Sequence, residues 1–263
     1  MPQLTLPSVS LNYQFEGDPA APTVMLCNSL SSTLAMWDAQ VPALVGAGYR
    51  VLRYDARGHG ASSVASGPTT IADLAADALA LLDHLGIARV HFCGLSLGGM
   101  TGQWLGTHHA SRLLSLSLCA TAAYMGPADL WDQRIAAVAS GGMAAVADAT
   151  INRWFTPASQ RRLPAEVARI RDAILNTPVA GYSACCAAIR DMDQRDTIAA
   201  IDLPTLVLVG ADDPSTPVAA AELIHQRIRG SHLHVIPDSQ HFFNVEEPTQ
   251  FNAALLGFLR DVA

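Results

Sequence analysis

The stretch Val90-His91-Phe92-Cys93-Gly94-Leu95-Ser96-Leu97-Gly98-Gly99 decides the fold of this chain. Its first four residues predict a short strand, and residues 96–108 predict a helix. Three glycines flank Ser96, so that the backbone can turn sharply between the two elements. A Gly-x-Ser-x-Gly turn between a strand and a helix presents the serine hydroxyl above the helix N-terminus. We therefore predict that Ser96 is a nucleophile.

A serine at such a turn can also be an ordinary helix N-cap. An N-cap accounts for one residue, but it does not require glycines at positions 94, 98 and 99. The nucleophile is therefore the favoured interpretation.

A nucleophilic serine needs a base, and the base needs a carboxylate that orients it. His241 follows the last predicted strand and precedes the last predicted helix, where the base is expected. Two adjacent carboxylates, Asp212 and Asp213, follow an earlier strand. We predict Asp213, because it completes a Gly-x-x-Asp spacing from Gly210, and Asp212 remains the alternative. The aspartate that is not catalytic would cap the following helix.

An oxyanion intermediate needs two backbone N–H donors. The first predicted donor is the amide of Leu97, directly after the nucleophile. The second is the amide of Leu30, by its position in the loop 28–32 after a predicted strand at 24–27. The loop alone is a generic polar turn, and it gains this role only beside the serine turn.

The composition excludes several classes of partner. With 16 basic and 23 acidic residues, the formal net charge is −7, which argues against nucleic acid and against an anionic membrane surface. No apolar run reaches the length of a membrane span, and no basic-then-apolar leader is visible. Five cysteines in apolar segments indicate reduced thiols, so we expect a cytoplasmic protein. No histidine has the neighbours of a metal site, and we expect neither metal nor cofactor.

The order of patterns predicts an α/β protein with a mostly parallel central sheet flanked by helices. Short apolar strands alternate with helical periods, including a helix at 35–47, until residue 123. Residues 124–201 contain only helical stretches, and the alternation resumes afterwards. We predict a core of residues 1–123 and 202–263, interrupted by a helical cap insert at 124–201.

These motifs resemble those of a known superfamily. The serine turn, the segment Asp55–Ser62, the Gly210–Asp213 turn and the His241 segment look like the α/β-hydrolases over nearly the whole chain. Within that superfamily, four stretches resemble 3-oxoadipate enol-lactonases: Cys27–Leu30, Met36–Asp38, Gly99–Leu105 and Gly181–Asp191. The pair Asn28-Ser29 replaces the superfamily's usual His-Gly before the oxyanion donor.

The resemblance implies an α/β-hydrolase fold and hydrolysis of 3-oxoadipate enol-lactone to 3-oxoadipate in bacterial aromatic catabolism, the β-ketoadipate pathway. Ser96 would attack the lactone, His241 would take its proton and Asp213 would hold the imidazolium. A carboxylesterase, a carbon–carbon bond hydrolase and a cofactor-free perhydrolase share this triad and remain alternatives. The complete triad argues against a non-enzymatic ligand-binding protein. A monomer and a homo-oligomer are both compatible with the sequence.

The implied substrate is a small carboxylated lactone, so the pocket should supply a cation. Among the arginines of the insert we select Arg190, which ends an apolar helical stretch at 182–189. An ion pair with a nearby aspartate, such as Asp191, is an equally supported alternative. Trp131 and Trp154 are candidates for the pocket wall, although such residues also anchor small helical lobes.

Overall fold

Eight strands form one sheet in the computed structural model, which describes residues 2–262. The strands are β1 (Gln3–Thr5), β2 (Ser10–Glu16), β3 (Thr23–Cys27), β4 (Arg50–Tyr54), β5 (Val90–Leu95), β6 (Leu113–Cys119), β7 (Thr205–Gly210) and β8 (His232–Ile236). Their order across the sheet is β1-β2-β4-β3-β5-β6-β7-β8. The strands β3 to β8 run parallel, and the hairpin β1–β2 pairs antiparallel at one edge. The prediction of a mostly parallel sheet is confirmed.

The central strands are apolar because helices cover both faces of the sheet. Every residue of β3, β5 and β7 is buried. Along β3, Val24 and Leu26 belong to one hydrophobic cluster, and Met25 belongs to the cluster on the opposite face. The edge strand β8 is mostly exposed.

Eleven α-helices complete the described part of the chain. They are α1 (Val41–Gly46), α2 (Ile71–His84), α3 (Leu97–His108), α4 (Ala128–Gly141), α5 (Ala144–Trp154), α6 (Pro157–Arg162), α7 (Pro164–Leu175), α8 (Val179–Asp191), α9 (Val218–Arg227), α10 (Phe243–Glu246) and α11 (Pro248–Asp261). Between residues 2 and 262, none of them is both long and apolar enough to cross a membrane.

The prediction of one helix over residues 35–47 is wrong. The structure has a short 3₁₀ helix at Leu34–Trp37, a turn, and then α1. Pro42 explains the break, because proline has no N–H to donate and is tolerated only in the first turn of a helix. A helix containing Pro42 therefore has to begin just before it.

Five helices, α4 to α8, lie between β6 and β7 as an insert in the sheet topology. The two ends of this insert meet at its base. Tyr124 and Asp193 form an isolated antiparallel bridge, and the amide of Gln194 donates to the Ala123 carbonyl at 2.8 Å. The insert thus leaves and rejoins the core at one place, directly after β6.

Candidate active site

Ser96 occupies the turn between β5 and α3 in a left-handed conformation, with φ 57° and ψ −112°. The adjoining strand β6 holds this backbone. The Ser96 amide donates to the Cys119 carbonyl at 2.8 Å, and the Thr121 hydroxyl donates to the Ser96 carbonyl at 2.8 Å. The Ser96 side chain makes no capping hydrogen bond. The geometry therefore disagrees with an ordinary N-cap and leaves the hydroxyl free for chemistry.

The glycines on either side of Ser96 allow three segments to approach one another closely. A Cβ at Gly94 would collide with the Gly98 carbonyl, and a Cβ at Gly98 would collide with the carbonyl of Cys27. The start of α3 therefore lies directly against the ends of β5 and β3. Larger side chains at these two positions would push the turn apart.

His241 and Asp213 form a buried pair at the carboxyl end of the sheet. Nδ1 of His241 lies 2.8 Å from Oδ2 of Asp213. The same carboxylate accepts hydrogen bonds from the Ser215 amide at 2.7 Å and the Thr216 hydroxyl at 2.7 Å. Burial alone would raise the pKa of the Asp213 carboxyl, but His241 and the Thr216 donors outweigh it, so that pKa lies below its ordinary value. Asp213 therefore stays ionised and orients the imidazole.

The structure distinguishes the two adjacent aspartates. Asp213 is buried, whereas Asp212 is exposed and its amide donates to the Ser239 carbonyl at 2.9 Å. Of the two, Asp213 is the one that contacts His241, and the geometry supports the predicted choice.

The loop after β3 is fixed beside the serine turn. Asn28 Nδ2 donates to the Tyr54 carbonyl at 2.8 Å, and Asn28 Oδ1 accepts from the Trp37 indole at 3.0 Å. The amides of Leu30 and Leu97 have no acceptor among residues 2–262. Because Gly98 packs on the start of this loop, both amides lie at the same end of the sheet as Ser96. This arrangement suits the two predicted oxyanion donors.

A cavity of about 440 Å³ lies between the core and the insert. Ser96, His241 and Leu30 line it from the core side. Trp131 and Trp154 line it from the insert, where the sequence placed them as wall candidates. A volume of this size suits a small organic molecule.

Arg190 does not reach this cavity, and its prediction as a substrate ligand needs correction. Its guanidinium forms ion pairs with Asp132 at 2.7 Å and Asp191 at 2.7 Å on the outer face of the insert. Successive residues of a helix point about 100° apart, so Ile189 faces the cavity while Arg190 turns away. The alternative weighed from the sequence, an ion pair with Asp191, describes this residue.

Two other arginines of the insert line the cavity, Arg134 on α4 and Arg153 on α5. Both guanidinium groups approach the Thr150 hydroxyl, at 3.4 and 3.3 Å. Neither forms an ion pair within the described part of the chain. Burial, with the nearby Arg134 charge as a second cause, lowers the pKa of Arg153. Together they make a cationic wall that an anion would satisfy.

Arg134 and Arg153 were both among the arginines of the insert from which Arg190 was selected instead, although a signal for them was present. Arg134 lies three residues after Trp131, and residues at this spacing share one helix face. Arg153 directly precedes Trp154. The predicted wall tryptophans therefore pointed to these two arginines as neighbours.

The parallel sheet, the serine turn and the buried Asp–His pair define a hydrolase of the α/β class. The family described as alpha/beta hydrolase fold matches residues 22–248, and the chain belongs to this family. It is 39% identical over 252 residues to 3-oxoadipate enol-lactonase 2 of Acinetobacter baylyi, covering 96% of this chain and 94% of that protein.

Solved structures agree with this assignment. The enol-lactonase from Burkholderia xenovorans is 39% identical, with a TM-score of 0.96 over 98% of this chain and 100% of that one. A hydrolase from Pseudomonas aeruginosa is 46% identical, with a TM-score of 0.94 over 98% of this chain and 97% of that one. The resemblance to enol-lactonases that the sequence motifs indicated is confirmed, and the chain is an ester-bond hydrolase.

Proposed function

We propose that this enzyme hydrolyses 3-oxoadipate enol-lactone to 3-oxoadipate in the β-ketoadipate pathway of aromatic catabolism, in the cytoplasm. The observation that carries the proposal is the pair Arg134 and Arg153, which line the same cavity as Ser96 without a carboxylate partner within residues 2–262. A lactone with a free carboxylate can place its ester group at Ser96 and its carboxylate at the two arginines. The similarity to enol-lactonases supports this choice. The five cysteines are buried and unpaired, as expected in a reducing compartment.

In the first half of the proposed reaction, Ser96 Oγ attacks the lactone carbonyl carbon while Nε2 of His241 takes the hydroxyl proton. Asp213 accepts from Nδ1 and stabilises the imidazolium. The amides of Leu30 and Leu97 bind the negative oxygen that develops. The ring C–O bond then breaks, and the oxygen leaves as an enolate that stays attached to the acyl chain.

In the second half, the enolate takes the proton from the His241 imidazolium, which leaves the imidazole neutral, and the enol tautomerises to the ketone. Water gives a proton to His241 and attacks the ester carbon on Ser96. The bond to Ser96 Oγ breaks and the serine regains its proton from the imidazolium. The new carboxylic acid releases its proton to solvent, so 3-oxoadipate leaves with two carboxylates. No further reactant is consumed.

Turnover of the enol-lactone, generated in situ, tests the proposal directly, with 3-oxoadipate measured by chromatography. We expect kcat/KM for the lactone in the range of about 10⁴–10⁸ M⁻¹s⁻¹, well above that for p-nitrophenyl acetate. Ser96→Ala should lower kcat by at least about 10³-fold, because the acyl-enzyme cannot form. The fold should persist, since the Ser96 hydroxyl makes no capping hydrogen bond.

Ser140→Ala is the matched control, because Ser140 is exposed on α4 and bonds only to carbonyls of its own helix in the described structure. It should keep full activity. Wild-type rates in folded Ser96→Ala would contradict the acyl-enzyme. A wild type that cleaves p-nitrophenyl acetate but leaves the lactone intact would contradict the substrate alone.

A further inference from the structure

Glu246 is a buried carboxylate that the proposed reaction does not use. It ends α10, five residues after His241, and is fully buried. Oε2 accepts the Gln240 amide at 2.6 Å, and Oε1 accepts the Thr156 amide at 2.7 Å. Gln240 directly precedes the histidine, and Thr156 belongs to the insert. One side chain thus joins the insert to the histidine loop, residues 237–242 between β8 and α10.

The residue after His241 is also attached to the insert. The Phe242 amide donates to the Trp154 carbonyl at 3.0 Å. The Trp154 ring stacks on the Phe242 ring, with centroids 4.0 Å apart and an angle of 9° between the planes. The amides on both sides of His241 are therefore held, one by Glu246 and one by the insert itself.

A carboxylate suits this bridge better than any neutral side chain. Both of its oxygens accept, and both backbone amides donate. Burial raises the pKa of the Glu246 carboxyl, and the hydrogen bonds from Thr156 and Gln240 act in the opposite direction. Loss of one acceptor would leave a buried amide without a partner, which is costly.

We propose that Glu246 is a positioning residue that couples the insert to the orientation of His241. The coupled part of the insert includes Arg153 and Trp154, which line the cavity and lie just before Thr156. A ligand that contacts these two residues thereby acts on the histidine loop. The inference rests on the proposed function only in taking His241 as the base, and it is independent of which ester is cleaved.

Glu246→Gln tests this role with p-nitrophenyl acetate as substrate. Glutamine keeps the shape and one acceptor oxygen, but its NH₂ group faces the second amide donor. We expect kcat to fall about 10- to 100-fold, because the imidazole loses its alignment, while KM stays within about twofold. Thermal unfolding establishes that the variant is folded.

Glu247→Gln is the matched control, since Glu247 pairs with Arg162 at 2.6 Å and with Gln250 and makes no hydrogen bond to the histidine loop in the described structure. Its kcat should equal that of the wild type. A folded Glu246→Gln with wild-type kcat, or an equal fall in both variants, overturns the proposal. If the wild type cleaves p-nitrophenyl acetate and not the lactone, the substrate assignment fails while this test still decides the role of Glu246.

Thr156→Pro decides the question if Glu246→Gln does not fold. Proline has no N–H, so this variant loses the hydrogen bond from the Thr156 amide to Glu246. The backbone suits proline because Thr156 has φ −60° and Phe155 is extended. We expect kcat to fall at unchanged KM. Thr156→Ala, which keeps the amide and loses only the hydroxyl, should retain kcat. Equal kcat in both Thr156 variants overturns the proposal.

Discussion

Residue 96 shows how a local backbone conformation prepares the chemistry. A non-glycine residue with φ 57° and ψ −112° is strained, at a cost of about 1–3 kcal/mol. Two hydrogen bonds hold this conformation. The Ser96 amide donates to the Cys119 carbonyl at the end of β6, and the Thr121 hydroxyl donates to the Ser96 carbonyl. The strain is therefore maintained by the surrounding sheet and leaves the hydroxyl at the cavity.

Asp213→Asn should distinguish Asp213 from Asp212, because it should change both kcat and the pH dependence of the free energy of unfolding. We expect kcat to fall about 10⁴-fold, because the amide no longer stabilises the imidazolium. The folded-state pKa of Asp213 lies below the ordinary 3.8. Its contribution to the free energy of unfolding is therefore fully present above pH 3.8 and is lost as the pH falls through the folded-state pKa.

Urea unfolding of the wild type and Asp213→Asn at pH values above and below 3.8 measures this contribution. The stability of the wild type relative to the variant should decline below pH 3.8. Asp212→Asn is the control, since Asp212 is exposed and the variant should keep the kcat of the wild type. If the free energy of unfolding changed with pH in the same way for Asp213→Asn and the wild type, the ionised role of Asp213 would be contradicted.

At this scale, the sequence was sufficient wherever a residue type and a fixed spacing act together. Ser96 and His241 stand at the positions that the motifs require, and both line the cavity. The prediction of Arg190 as a substrate ligand was wrong because the direction of a helical side chain depends on how the helix packs. Its neighbour Ile189 occupies the cavity face, and no local pattern distinguishes the two orientations.

At the scale of elements, α4 and α5 place one arginine each on the cavity wall. We expect Arg134→Ala and Arg153→Ala to raise KM for the enol-lactone about 10- to 100-fold, since each removes a charge-assisted hydrogen bond. KM for p-nitrophenyl acetate, which has no carboxylate, should change little. Steady-state kinetics with both substrates measures the difference.

Arg190→Ala is the control for this prediction, because Arg190 pairs with Asp132 and Asp191 away from the cavity. Its KM should match the wild type for both substrates. If KM rose equally for the lactone and the neutral ester in Arg134→Ala, that arginine would instead serve the packing of the insert.

Element bounds were predictable where a buried run is closed by residues that cannot continue it. The strand predicted at 24–27 and the helix predicted at 96–108 match β3 and α3 to within one residue at their starts and end where predicted. In the insert, Pro157 and Pro164 each begin a helix, because proline is tolerated in the first turn. The short helix α10 was not predicted, since four residues contain too little periodicity for a pattern to appear.

For the whole molecule, the net charge of −7 would oppose the proposed anionic substrate at long range, while the two arginines of the cavity would attract it locally. At a molecular radius of about 20 Å, seven charges in water repel one by about 1.5 kcal/mol. Salt screens this long-range repulsion more than it screens half-buried groups. We expect kcat/KM for the lactone to rise a few-fold between about 0.01 and 0.15 M salt.

The neutral ester is the internal control for the salt series, because its kcat/KM should not respond to the long-range field. A fall in kcat/KM for the lactone with added salt would show that attraction by the two arginines outweighs repulsion by the net charge.

The turn at residue 96 also bears on how such enzymes diversify. The strand β5, the helix α3 and the flanking glycines maintain the turn, and the side chain of Ser96 makes no capping contact. We therefore expect that the proposed nucleophile can be replaced while the scaffold stays the same. A cysteine or a carboxylate at position 96 would inherit the same histidine and the same pair of amides. A change of chemistry would therefore need a single substitution, whereas a new turn would need changes in β5, in α3 and in the flanking glycines.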